Sequence, residues 1–169
     1  DLSASAPWMV DEITAAAMQA GKEARVHLKV DTGLSRAGAM LAEWSELVDA
    51  ALRAQGRGAV RAVGVWSHLA HGYDPQNPAL SAQIHAFNEA LDIARRAGLT
   101  PEVRHLANSG GALHRPDARL DLVRAGIAVY GLAPAPQVTG SSELGLRPAM
   151  TLTARLALTK SAPAGEGTP

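Results

Sequence analysis

Two hydrophobic periods alternate along this chain, and that alternation constrains the fold more than any single motif. Between Trp8 and Ala20, apolar Met9, Ile13, Ala16, Ala17 and Ala20 recur at helical spacing, and Gly21 provides a stop. Val26 to Asp31 then alternates apolar and polar residues, the period of a strand, and ends at Thr32-Gly33. Leu41, Trp44, Val48, Ala51 and Leu52 predict an amphipathic helix that closes near Gly56 or Gly58. Val63 to Leu69 reads as a buried strand. After a loop with Gly72, Pro75 and Pro78, the residues Leu80, Ile84, Phe87, Leu91 and Ala94 give the clearest helix, capped at Gly98. Pro101 leads into a strand at Val103 to Ala107, a short helix follows near Gly111 to His114, and Leu122 to Val129 reads as a fourth strand. The first three strands begin at Val26, Val63 and Val103, 37 and 40 residues apart. This is the rhythm of βα units on a parallel sheet, either open and doubly wound or an arc of a (β/α)8 barrel. No GxGxxG or P-loop string follows a strand, which weighs against a nucleotide-binding open sheet.

The rhythm breaks after Gly131. Ala133-Pro134-Ala135-Pro136 and Thr139-Gly140-Ser141-Ser142 predict a linker or domain crossing. Met150 to Leu158 alternates strictly, which predicts one strand with one buried face, and such a strand needs partners. The chain therefore divides into an α/β region over 1–133, a crossing over 134–147 and the start of a β domain over 148–169. Composition then excludes whole classes of chemistry. With no cysteine there is no disulfide, zinc–thiolate site, Fe–S cluster or cysteine nucleophile. Sixteen basic residues balance sixteen acidic ones, so nothing electrostatic favours nucleic acid or an anionic membrane as a partner. No apolar run approaches the ~20 residues of a membrane helix. The chain opens on Asp1 without Met or a leader, so its 169 residues are expected to be a piece of a longer product.

Parallel α/β folds bind ligands at the C-terminal ends of their strands. Lys29, Asp31 and Arg36 follow the first strand; Ser67, His68 and His71 the second; His105, Asn108 and Ser109 the third. Arg124 and Gly126 lie on the fourth. The set is rich in cations and hydroxyls and poor in carboxylates, which suits a phosphate or carboxylate ligand and not Mg²⁺ or Ca²⁺. Plainer readings stand beside each. Arg36 is equally a surface arginine in a Gly-flanked loop, and His68 a hydrogen-bonded core histidine. Asn108-Ser109-Gly110-Gly111 is either a helix N-cap and turn or a phosphate cradle of hydroxyl and backbone N–H groups. His68 and His71 have metal-like spacing, but on a strand they would face opposite sides and no third ligand is evident, so no metal is expected. Arg124 in an apolar stretch is the most informative residue, because a buried guanidinium requires a partner. Lys29 inside a strand is similar unless it snorkels to an edge.

Four strings tie these residues together. His27-Leu28-Lys29-Val30-Asp31-Thr32-Gly33 with Arg36 and Gly38, and Ser67-His68-Leu69-Ala70, resemble the alanine racemase family. So do His105-Leu106-Ala107-Asn108-Ser109 and Val123-Arg124-Ala125-Gly126-Ile127-Ala128-Val129-Tyr130-Gly131, all in family order and spacing. The resemblance runs from Trp8 to about Lys160. It implies a pyridoxal 5′-phosphate enzyme with an N-terminal (β/α)8 barrel and a C-terminal β domain. Such an enzyme is a cytoplasmic head-to-tail homodimer that interconverts L- and D-alanine for peptidoglycan. This chain would be the second half of the barrel followed by the first strand of the β domain. The resemblance makes Ser109 the phosphate-binding serine, with Asn108 beside it and backbone N–H groups near Gly126 and Ile127 on the same phosphate. Arg124 would bond the pyridine nitrogen; because arginine hardly gives up a proton, that nitrogen stays unprotonated and the cofactor is a weaker electron sink. His105 would orient Arg124, and His68 would link it to the catalytic tyrosine. Arg36 would sit near the cofactor hydroxyl and the substrate carboxylate. Lys29 would carry an N-carboxyl group that bridges to Arg36.

The chain departs from the family pattern in places. Ser35 and Ala37 flank Arg36 where Gly and Leu are commoner, and His71-Gly72-Tyr73-Asp74-Pro75 replaces an acidic loop. The family's Schiff-base lysine, in a Lys-Ala-x-Ala-Tyr-Gly string, does not occur. Neither Tyr73 nor Tyr130 matches the opposing tyrosine base, and the chain alone is expected to be inactive, because racemisation needs a base on each face. Three rival readings remain: a non-catalytic cofactor-holding barrel, a racemase of broader specificity such as for serine, and a metal-dependent barrel hydrolase using His68 and His71.

Overall fold

A computed structural model describes residues 1–165 of the chain. Its centre is a parallel sheet of four strands in the order β1 (Leu2–Ala4), β2 (Ala24–Asp31), β4 (Val60–Trp66), β5 (Val103–His105). A two-residue strand β3 (Ala39–Met40) adds to the end of β2, pairing Val30 with Ala39. Helices α1 (Pro7–Ala20), α2 (Trp44–Gly56) and α3 (Pro78–Arg96) connect the strands, with α1 against α2 and α2 against α3. A short helix α4 (Ser109–His114) follows β5. The result is consecutive βα units on a parallel sheet, the arc of a (β/α)8 barrel.

The two-residue strand period separates two faces. Val26, Leu28 and Val30 are fully buried among the helices, with Val60 and Val65 of β4. Trp44, Leu47, Val48, Leu80 and Phe87 cover them, and many alanines let the helices approach closely. Trp44 satisfies its indole N–H on the Ala90 carbonyl at 2.8 Å. The alternate residues His27, Lys29 and Asp31 lie on the other face, where β4 presents Gly64 and Trp66 and β5 presents His105 in register. A side chain at Gly64 would overlap the His27 ring, so the glycine makes room for that imidazole.

Local chemistry explains the element ends. Gly21 closes α1 in the left-handed region at φ 62°. Asn77 caps α3 by accepting from the Ala79 N–H, with Pro78 at its first position.

Two sequence expectations are corrected. Leu122 to Val129 is not a strand. The Asp121 and Arg124 N–H groups bond to the Arg104 and Ala107 carbonyls, and Ile127–Tyr130 then form a 3-10 turn. Leu122 and Val123 stay more than 40% exposed, so the apolar run lacks a face to bury against. Among the described residues, Met150 to Leu158 forms no strand and has no strand beside it to pair with, the partner its single apolar face requires, and Leu152, Leu156 and Leu158 are at least 80% exposed. The second expected strand, Val63 to Leu69, is observed at Val60–Trp66, which leaves Ser67, His68 and Leu69 in the following loop.

Candidate functional site

The polar face of the sheet gathers its side chains around one indole. Lys29 Nζ lies 4.6 Å from the Trp66 ring centroid and Arg124 Cζ lies 4.7 Å from it. The His105 imidazole stacks on the same ring with centroids 5.4 Å apart. The register that pairs Lys29 with Trp66 and Trp66 with His105 sets these neighbours. Lys29 is only 6% exposed. Burial, with Arg36 and then Arg124 nearby and Asp31 opposing, holds its amine below the usual lysine range.

Arg124 is the hub. One Nη donates to His105 Nδ1 at 2.7 Å; the other donates to the Ser67 carbonyl at 2.7 Å and approaches His68 Nδ1 at 3.4 Å. Because a guanidinium only donates, His105 Nδ1 must accept, so its proton sits on Nε2. That Nε2 meets His27 Nδ1 at 2.9 Å, and His27 Nε2 meets the Asp1 carboxylate at 3.2 Å. The chain of bonds therefore has one direction, from arginine through two neutral imidazoles to a carboxylate. Burial and then the Arg124 charge push the His105 imidazole down to about 4. Burial and then Arg124 also lower His68. Both are neutral near pH 7 and available as acceptors.

The loops beyond the strand ends are fixed by side chains reaching backbone. Asp31 accepts from the Gly33, Leu34 and Ser35 N–H groups at 2.8, 3.0 and 3.1 Å, shaping the loop that bears Arg36. Ser109, 5% exposed, accepts from the Gly126 and Ala128 N–H groups at 2.8 and 3.3 Å. Asn108 caps α4 through the Gly111 N–H and donates to the Leu69 carbonyl. A methyl group on Gly110 would overlap the Gly72 carbonyl, so backbone meets backbone there.

These loops enclose a cavity of about 430 Å³ lined by Arg36, His68, His71, Ser109, Arg124 and Gly126, among others. Among the described residues, no carboxylate lines it. A larger groove of about 630 Å³ lies at the start of β5, but its charges are mixed: Glu102, Asp92 and Asp121 with Arg95 and Arg104. Arg104 and Asp121 there form a two-pronged ion pair at 2.7 and 2.9 Å.

Every site residue singled out from the sequence belongs to one assembly. Arg36, His68, Asn108, Ser109, Arg124, Gly126 and Ile127 line the cavity, and Lys29 and His105 sit behind it around Trp66. His68 and His71 share one loop and one cavity and do not lie on opposite faces of a strand. Among the described residues no cluster of three His, Asp or Glu could hold a metal ion. Lys29 has Trp66 as its neighbour, and no hydrogen bond joins it to Arg36. Sequence reasoning missed Trp66, His27 and Gln83. The first two were findable: His27 shares the alternation of Lys29, and Trp66 lies two residues before His68 on the same strand end.

Parallel βα units whose strand ends present arginines, neutral histidines and a buried serine form an arc of a (β/α)8 barrel. Residues 1–134 match the family model described as the alanine racemase N-terminal domain. An alanine racemase of Frankia casuarinae is 53% identical over 167 residues, 99% of this chain and 44% of that relative. The crystal structure of alanine racemase from Streptomyces lavendulae superposes with a TM-score of 0.93 at 51% identity, covering 98% of this chain and 43% of that one. The Bartonella henselae alanine racemase, solved with covalently bound pyridoxal phosphate, superposes at a TM-score of 0.68 and 26% identity, over 82% of this chain and 38% of that one. The chain belongs to the alanine racemase family and spans less than half the length of these relatives.

Proposed function

We propose that this chain supplies the cofactor-holding half of the barrel in a pyridoxal 5′-phosphate-dependent alanine racemase. The observation that carries the reading is Arg124, held on His105 Nδ1 and the Ser67 carbonyl at the wall of a cavity that, among the described residues, no carboxylate lines. The donor set fits the cofactor: a guanidinium for a ring nitrogen, and a hydroxyl with neighbouring backbone N–H groups for a phosphate. Ser109, with Asn108 beside it and the N–H groups of Gly126 and Ile127, would hold the phosphate. When bound, the cofactor supplies an electron sink that acidifies the Cα–H of an amino acid.

The residues of this chain then have distinct tasks. Arg124 would donate to the ring nitrogen and keep its own proton, which would leave that nitrogen unprotonated and temper the sink. His105 accepts from Arg124 and fixes its orientation. His68, beside Arg124, would connect it to the tyrosine base. Arg36 would receive the substrate carboxylate. Lys29, whose amine burial holds below the usual lysine range, is suited to take up an N-carboxyl group that pairs with Arg36. In the whole protein we place residues 1–133 in the barrel, 134–147 in the crossing and 148–169 in a β domain. We place that protein in the cytoplasm as a head-to-tail homodimer making D-alanine for peptidoglycan.

The test has two arms. Pyridoxine 5′-phosphate, which lacks the aldehyde, is titrated against the protein's tryptophan fluorescence, to which Trp8, Trp44 and Trp66 all contribute. Arg124→Gln is expected to weaken binding by on the order of tenfold or more, the worth of a charged hydrogen bond, and unphosphorylated pyridoxine to bind far less well. Separately, residues 1–160 replace the matching segment of the Streptomyces lavendulae enzyme, and D-alanine formation is followed. Unchanged binding in Arg124→Gln, or a folded, cofactor-loaded chimera that forms no D-alanine, would overturn the proposal.

A further inference from the structure

Helix α3 buries one polar side chain among Leu80, Ile84, Phe87, Ala90 and Ala94, and that residue is Gln83, 3% exposed. Its carboxamide is fully used. Oε1 accepts from the Ala70 N–H at 2.8 Å. The two hydrogens of Nε2 go to Thr32 Oγ1 and to the His68 carbonyl, both at 3.3 Å. Thr32 Oγ1 in turn lies 2.9 Å from Ser67 Oγ, and the Ser67 carbonyl takes a hydrogen bond from Arg124. The Gln83 side chain also packs beside Gly33, where a Cβ would stand 3.7 Å from its Cγ.

The geometry points to Gln83 as a positioning residue that locks the loop carrying His68 against the loop leading to Arg36. A cap for one orphan N–H would need a single acceptor. This side chain instead grips the His68 loop from both sides and ties it to Thr32, so two strand ends move as one unit. Only a carboxamide of this length supplies an acceptor and two donors at one point. The inference rests on the racemase reading, because it matters to function through Arg36 and His68.

Two variants separate the role from packing. Gln83→Met keeps the bulk and removes every bond; Gln83→Glu keeps the acceptor for Ala70 and removes both donors. They are made in the full-length holoenzyme that contains this segment, and in its cofactor-free form for amide exchange. In Gln83→Met the Ala70 amide is expected to exchange on the order of tenfold faster, and kcat/KM for alanine to fall by a similar factor. Gln83→Glu is expected to keep Ala70 protected and still lose kcat/KM, because the tie to Thr32 is cut. Thr32→Val severs the same tie from the other end. The double variant Gln83→Glu with Thr32→Val is therefore expected to lose clearly less than the sum of the two single losses, a non-additivity that independent structural damage would not give. Wild-type kcat/KM in Gln83→Glu, or additive losses, would overturn the inference. Failure of the wild type to bind pyridoxine 5′-phosphate would instead sink the racemase reading.

Discussion

Acid should loosen this protein through one imidazole more than any other. His105 is 7% exposed and accepts from Arg124, so protonating it puts a second positive charge 2.7 Å from a guanidinium nitrogen. The folded state takes up that proton at about 4, against 6.5 for the unfolded chain. Between those values the unfolded chain binds more protons, so stability rises with pH across the window and is lost as pH falls through it. At about 1.4 kcal/mol per pH unit, the whole window is worth at most about 3.5 kcal/mol. His105→Asn removes the titration while leaving an oxygen near the Nδ1 position to accept from Arg124. Urea unfolding at pH 7, 6, 5 and 4 should show wild type losing most of that amount relative to the variant. His68, also held low by burial, remains in both proteins, whereas His27 loses its partner in the variant, so the same difference is also taken in a His27→Asn background. A wild-type-minus-variant difference that stays flat from pH 7 to 4 would refute the reasoning.

Three further outcomes are expected. Asp31→Ala removes the acceptor for three backbone N–H groups, but Gly33 and Ser35 are exposed and regain water, so urea unfolding should show a loss of about 1–2 kcal/mol. Gly110→Ala drives a methyl group into the Gly72 carbonyl; a loss of about 2–4 kcal/mol should accompany weakened pyridoxine 5′-phosphate binding, and a neutral result would mean the two backbones separate freely. Trp66→Leu removes the face that buried Lys29 and half-buried Arg124 share, which thermal melts should register as about 1–2 kcal/mol.

Much of the fold was legible because the core period is local. Val26, Leu28 and Val30 announce their face by alternation alone, and Leu80 to Ala94 announces its helix by spacing. The candidate site was legible for a related reason: polar residues at strand ends have few structural uses, so Arg124 and Ser109 stood out. What failed was non-local. Leu122 to Val129 and Met150 to Leu158 carry strand-like patterns, yet pattern states only a preference, and a ladder needs a neighbour of matching length. β5 is three residues long: within it Arg104 accepts one backbone bond from Asp121, and the bond from Arg124 falls on Ala107 beyond its end, too little to propagate a strand. β1 and β3 escaped notice because two or three residues are too short to show a period.

Trp66 and Gln83 show a different limit. Each is a residue whose ordinary fate, an aromatic in a strand or a polar residue on a helix, gives no hint of its role. Gln83 follows the helical period of its core neighbours, so the spacing places it inside, and a buried carboxamide must find partners. The partners lie 13, 15 and 51 residues away, on loops whose approach depends on the parallel order of β2 and β4. A helical period that includes one amide therefore predicts that a tie exists but not to what. Topology supplies the second half of that statement, and here it points to the two loops whose relative placement aligns His68 with Arg36.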